Sequence, residues 1–116
     1  AFVSRRHVPE HKFDYTESMQ NLQELAKACD ARRARFAVII FDNNPTDPQW
    51  AKLQSVVTTT LTGTKVPMLT LGPSLFREHS PEELYVHRID AHPNEIAHGI
   101  AAEEIERFLK SNRLLE

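Results

Sequence analysis

Apolar positions along this chain follow two kinds of pattern. From Thr16 onward, Met19, Leu22, Leu25, Ala26 and Cys29 recur at spacings of three and four, which is one buried stripe of an amphipathic helix. Thr16 is placed to cap that helix, with Glu17 near its positive end. The basic stretch Ala31-Arg32-Arg33-Ala34-Arg35 then leads into Phe36-Ala37-Val38-Ile39-Ile40-Phe41. That run is apolar on both faces and β-branched at its centre, as in a buried parallel strand.

The same alternation repeats. Asp42-Asn43-Asn44-Pro45-Thr46-Asp47 is turn-forming, and Thr46 or Asp47 can cap a second helix with Pro48 in its first turn. Trp50, Leu53, Val56, Val57 and Leu61 form its stripe, and Gly63 with its polar neighbours ends it. Val66 to Leu71 reads as a second buried strand, with Pro67 tolerable near its start and Gly72-Pro73 as its stop. Ser80-Pro81-Glu82-Glu83 is a capping-box pattern, predicting a short helix over 81–86. A final helix starts near Pro93 or Asn94, with Ile96, Ala97, Ile100, Ala101, Ile105, Phe108 and Leu109 as its stripe. Helices alternating with all-apolar strands predict an α/β fold with parallel strands over 36–41 and 66–71. Residues 1–15 show no period and read as an N-terminal arm or linker, leaving 16–116 as the structured unit. Two strands are too few for an open α/β sheet, because both outer edges stay unpaired, so the chain reads as part of a domain.

Composition narrows the function classes. The 116 residues carry a formal net charge of −2 with 41% hydrophobic and 26% charged residues, an ordinary globular balance. A sequence pI near 6.3 lacks the basic surplus of a general nucleic-acid binder, so no nucleic-acid partner is expected. No apolar run approaches the ~20 residues of a membrane span. The single cysteine, Cys29, excludes an internal disulfide, and with only three glycines there is no phosphate-cradling loop. The chain starts at Ala1 without a charged-then-apolar leader, which methionine removal, signal cleavage or excision from a longer protein would each produce. The compartment therefore stays open.

Chemistry concentrates in Ile89-Asp90-Ala91-His92-Pro93-Asn94-Glu95-Ile96-Ala97-His98-Gly99. A carboxylate and an imidazole two residues apart, in a loop leading into a helix, can meet at one site. A carboxylate that accepts the Nδ1 proton holds the ring in one tautomer and stabilises the imidazolium when Nε2 takes a proton from a nucleophile. The bland reading of the same residues is a helix-capping loop. His87, Asp90, His92 and His98 are metal-ligating types, but neither an H-E-x-x-H pattern nor helical ligand spacing organises them, and no metal or cofactor is expected. Arg32, Arg33 and Arg35 read as a solvated helix end, Trp50 and Phe41 as core or pocket lining, Cys29 as inert and His98 as a packing or capping residue.

The run DAHPNEIAHGIAAEEIERFL resembles the last conserved block of the SGNH (GDSL-type) serine hydrolases, in which a D-x-x-H-P or D-x-H-P-N segment supplies the acid and base of a Ser-His-Asp triad. The preceding order of helix, strand, loop, helix and strand is similar too, over roughly residues 16 to 110. The resemblance implies that Asp90 is the triad acid and His92 the general base, with Asn94 and His98 structural. It also implies a partial flavodoxin-like three-layer α/β/α sandwich acting on an ester or acylated substrate. The Asp-x-His spacing is one residue shorter than the commonest family form. No Gly-Asp-Ser segment is present, and the glycine and asparagine donors of the oxyanion hole are missing. The resemblance therefore implies the C-terminal, acid–base half of such an esterase. The isolated chain is then inactive, and its partner is the missing N-terminal half or a second copy. The alternative is a non-catalytic α/β binding or assembly module whose Asp-His loop is structural.

Overall fold

A computed structural model describes residues 14–115. Helix α1 (Thr16–Ala31) leads to strand β1 (Val38–Ile40), helix α2 (Pro48–Leu61) and strand β2 (Met68–Thr70). A short helix α3 (Gly72–Leu75) and a 3₁₀ turn (Pro81–Leu84) follow. Strands β3 (Tyr85–His87) and β4 (Asp90–Pro93) then precede the long helix α4 (Glu95–Ser111). The protein is mixed helix and strand, with a small parallel sheet of β1 and β2 in the register Val38↔Met68, Ile39↔Leu69 and Ile40↔Thr70.

Both parallel strands are shorter than the apolar runs that announce them. Pro67 has no N–H to give, so pairing starts through its carbonyl, which accepts from the Val38 N–H at 3.0 Å. At the far end the Leu71 N–H donates to the Ile40 carbonyl at 3.0 Å. The next amide, that of Gly72, turns to the Asp42 carboxylate, with N to Oδ1 at 2.6 Å. A side chain thus extends the ladder where the backbone diverges.

Alternation along the strands sends successive side chains to opposite faces. Val38, Ile40 and Met68 pack with Met19 and Leu22 of α1 and with Trp50, Leu53, Val57 and Leu61 of α2. Leu69 and Phe41 pack instead with Leu71, Leu75, Leu84, Ala97, Ala101, Ile100 and Ile105, the cluster built on α3 and α4. Helices therefore cover both faces of the two-stranded sheet. Small residues on α4 let it approach closely: Ala97 is fully buried and Ala101 almost so.

Several local expectations change. Thr16 does not cap α1 but is its first residue; Tyr15 holds the N-cap position without a side-chain cap bond, and Asp14 Oδ1 accepts from the Thr16 N–H at 2.9 Å and from the Thr16 hydroxyl at 2.6 Å. Asp47 rather than Thr46 caps α2, accepting from the Gln49 N–H at 2.9 Å. Gly72-Pro73 opens α3 instead of merely ending a strand, since proline fits the first turn of a helix. The capping box of Ser80 and Glu83 forms as its spacing predicts, but around a single 3₁₀ turn. The largest correction is at 85–93. The expected helix stops at Leu84, and Tyr85 and Val86, with the residues read as a loop before the last helix, form an antiparallel hairpin, with Tyr85 opposite Pro93 and His87 opposite Asp90. Its strands are too short and too polar to show a period-2 signal.

At the other end of the sheet, Arg33 adopts a left-handed backbone (φ 57°) just beyond α1. Arg35 reaches across to the end of α4, donating from Nη1 to the Arg113 carbonyl at 2.6 Å. A cation at a helix C-terminus meets the negative end of the dipole. The 1–13 part of the arm or linker lies outside the described residues.

Candidate functional site

Ligand sites of open α/β sheets lie beyond the carboxyl ends of the parallel strands. Here that end carries Asp42 and Asn43 after β1, Gly72 after β2, and the β3–β4 hairpin beside them.

The local sequence explains how each part is held. Asn94 caps α4 through Oδ1, which accepts from the Ala97 N–H at 3.0 Å. Its amide nitrogen donates backwards to the carbonyls of Glu83 at 2.8 Å and Tyr85 at 3.1 Å. Its own N–H bonds the Leu84 carbonyl at 2.9 Å. One asparagine thereby starts the helix and fixes the base of the hairpin, the structural role expected of it. Pro93 ends β4 immediately before this cap.

Asp90 and His92 stand two residues apart on β4, so the pleat places their side chains on one face. The two sequence-derived residues are brought into direct contact: Asp90 Oδ1 lies in hydrogen-bond contact with His92 Nδ1. The same oxygen accepts from the His92 backbone N–H at 3.1 Å. The ring's hydrogen bond, then the backbone one, holds the Asp90 carboxyl below its ordinary value, with a smaller contribution from the facing His87. The pair is open to solvent, with 84% of the His92 side chain and 46% of the Asp90 side chain exposed. With Nδ1 committed to Asp90, Nε2 is the nitrogen left to exchange a proton.

His98 does not join this pair. Its ring meets Phe41 edge-on, with centroids 6.0 Å apart, which is the packing role. Phe41 belongs to the α4 cluster and Trp50 to the α1–α2 cluster, and Trp50 also borders an open apolar groove beside β1. Among the described residues, no group of three or more His, Cys, Asp or Glu side chains could hold a metal ion. No described helix is long and apolar enough to cross a membrane.

Serines are placed elsewhere. Ser18 lies in α1, Ser55 in α2, Ser74 in α3, Ser80 at the 3₁₀ turn and Ser111 at the end of α4. None of them hydrogen-bonds His92. Ser4 lies outside the described residues.

Two features of this region escape a reading by motif. Asn43 donates from Nδ2 to the Ala91 carbonyl at 2.8 Å, reaching the residue between Asp90 and His92. Gly72 allows Asp42 to approach so closely that an added Cβ would sit 2.4 Å from Asp42 Oδ2. The usable signal for both is position, since each follows the end of an apolar strand. The chain matches no protein-family model, no curated protein and no solved structure.

Proposed function

We propose that this chain is the acid–base part of an SGNH-type serine hydrolase that cleaves ester or acyl-ester substrates, with its nucleophile and oxyanion donors supplied from outside these residues. The observation that carries this reading is the Asp90–His92 contact at the carboxyl end of a parallel sheet with helices on both faces. In the full domain, this sheet would be one part of a flavodoxin-like sandwich.

The chemistry follows from the ring's orientation. A serine hydroxyl attacks the ester carbonyl while His92 Nε2 removes its proton, giving a tetrahedral oxyanion and an imidazolium. Ionised Asp90, against Nδ1–H, stabilises that cation and keeps Nε2 aimed at the nucleophile. When the intermediate collapses, the C–O bond to the alcohol breaks and Nε2 returns the proton to the leaving oxygen. Water then repeats the cycle on the acyl-enzyme and releases the acid.

A second observation supports an incomplete sheet. The β1–β2 ladder runs through Val38 and Ile40, so the N–H and C=O of Ile39 point to the opposite edge, which no described strand pairs. Ile39 is 38% exposed there, beside the groove lined by Met19, Leu22, Leu25 and Trp50. An uncharged edge of this kind is a template for a further strand.

The competing reading is a non-catalytic module. It is favoured by the His92 backbone N–H bond to Asp90, since an aspartate that binds the amide two residues on also serves simply to shape a turn.

Labelling with a fluorophosphonate decides between them. The 116-residue chain should take no label, and the polypeptide encoded by the uninterrupted reading frame should be labelled at one serine outside it. Labelling of a serine within these residues, or of none in the longer polypeptide, would overturn the reading.

A further inference from the structure

We propose that Asn43 is a positioning residue for the Asp90–His92 pair, tying the hairpin that carries it to the carboxyl end of the parallel sheet; the catalytic meaning of this tether rests on the hydrolase reading. The hairpin needs such a tie. Two strands of three and four residues are marginal by themselves. Their register is interrupted between Tyr85 and His87. Asn94 anchors the hairpin only at its base, through the carbonyls of Glu83, Leu84 and Tyr85. Beyond that point the chain rises to an exposed tip at Ile89.

Asn43 grips β4 above the base. Its amide donates to the carbonyl of Ala91, which shares one peptide plane with the His92 N–H that bonds Asp90. Strand alternation turns the Ala91 side chain away from that pair. The bond therefore fixes the backbone that carries the two side chains and touches neither of them. Rotation of the peptide at Ala91 would swing Asp90 and His92 relative to each other and lose their contact.

Asn43 is itself firmly placed. It lies just past β1, beyond Phe41 and Asp42, its N–H bonds the Phe41 carbonyl at 3.1 Å, and it is half-buried. The preceding Asp42 is locked to the Gly72 amide at the end of β2. Strand ends, loop and hairpin thus form one connected set, running from Gly72 through Asp42 and Asn43 to Ala91. Because its amide is already engaged by a carbonyl, Asn43 acts through the backbone of β4 and not on a substrate.

The test uses Asn43→Ala, which removes the donor, and Asn43→Gln, which keeps an amide. Carboxyl and imidazole resonances are followed by NMR in the 116-residue chain, with circular dichroism as the check on folding. In Asn43→Ala the Asp90 carboxyl should titrate closer to its ordinary value, and the two-residue contact with the His92 ring should weaken. Asn43→Gln should recover part of both. Unchanged Asp90 titration and ring contact in a folded Asn43→Ala would overturn the proposal. So would an Asn43→Gln chain that folds but behaves as the alanine variant does. If Asn43→Ala fails to fold, the glutamine variant alone decides by these same two signals. The hydrolase reading fails separately, through ester turnover by the longer polypeptide. There, Asn43→Ala should lower kcat by about tenfold with KM little changed. Loss of the NMR contact without any dependence of turnover on His92 would leave the tether standing and remove its catalytic meaning.

Discussion

Asp90 and His92 meet through two atoms of the histidine at one carboxylate oxygen: Oδ1 contacts the ring Nδ1 and accepts the backbone N–H at 3.1 Å. The backbone bond sets where the carboxylate sits, and the ring bond then selects the tautomer. In the neutral ring the proton should reside on Nδ1, leaving the Nε2 lone pair outward, and nitrogen-15 shifts of the imidazole read this directly. Asp90→Asn presents an amide in place of the carboxylate and should shift the neutral ring toward the Nε2–H form. In a working triad, the equivalent loss lowers kcat by roughly 10⁴. An unchanged tautomer in Asp90→Asn would show that Asp90 does not orient the ring.

Acid should weaken the fold through three carboxylates. Asp14 is held below its ordinary 3.8 chiefly by the Thr16 hydroxyl, and Asp90 below the same value chiefly by the His92 ring. Glu83 is held below its ordinary 4.5 chiefly by the Ser80 N–H. Lowered folded values mean that folding favours the ionised forms. Their contribution is complete above the ordinary carboxylate range and is lost as pH falls through the lower folded values. Denaturant midpoints measured from pH 7 to 3 should decline in the acid limb, and the decline should be shallower in an Asp14→Asn/Glu83→Gln/Asp90→Asn triple variant. An equal decline in the triple variant would assign the acid sensitivity elsewhere.

Gly72→Ala should be destabilising although the site is helical. The new Cβ would lie 2.4 Å from Asp42 Oδ2 and 3.3 Å from the Asp42 carbonyl oxygen. Asp42 can escape only by rotating away, which gives up its bond to the Gly72 amide. A loss of about 1–3 kcal/mol is expected from crowding a packed site, measured by denaturant unfolding. A gain in stability would mean that Asp42 is free to move.

Asn94→Ala removes the α4 cap and two donors to the hairpin base together. A cost of about 1–3 kcal/mol follows, which lowers Tm by roughly 4–8 °C for each kcal/mol in a domain of this size. Asn94→Asp keeps the acceptor for the Ala97 N–H and loses the donors, so its Tm should fall between wild type and alanine. Identical Tm values for the two variants would show that the cap contributes nothing by itself.

What was legible in the sequence was what rests on local, periodic causes. The stripe from Met19 to Cys29 and the one from Ile96 to Leu109 announce α1 and α4, and the apolar runs at 36–41 and 66–71 announce the parallel pair. Asp90 and His92 were legible as a pair because their spacing suits one face of an extended segment as well as a loop. The hairpin that carries them was not legible, because its strands are held by Asn94 at Tyr85 and by Asn43 at Ala91, not by an apolar face of their own. Asn43 and Gly72 were missed for a related reason. Each acts on a partner 30 or more residues away, and no local pattern records such a contact. Thr16 is not the cap expected of it because α1 already begins there, and its own amide is satisfied by Asp14 two residues before.

Ester turnover by the complete reading frame, compared with its His92→Ala variant, decides whether His92 is the general base of a serine hydrolase. With folding verified by circular dichroism, His92→Ala should nearly abolish hydrolysis of a simple activated ester, and the isolated 116-residue chain should hydrolyse none. Full turnover by His92→Ala, or saturable turnover by the isolated chain, would contradict the assignment of His92 as the general base of a serine hydrolase.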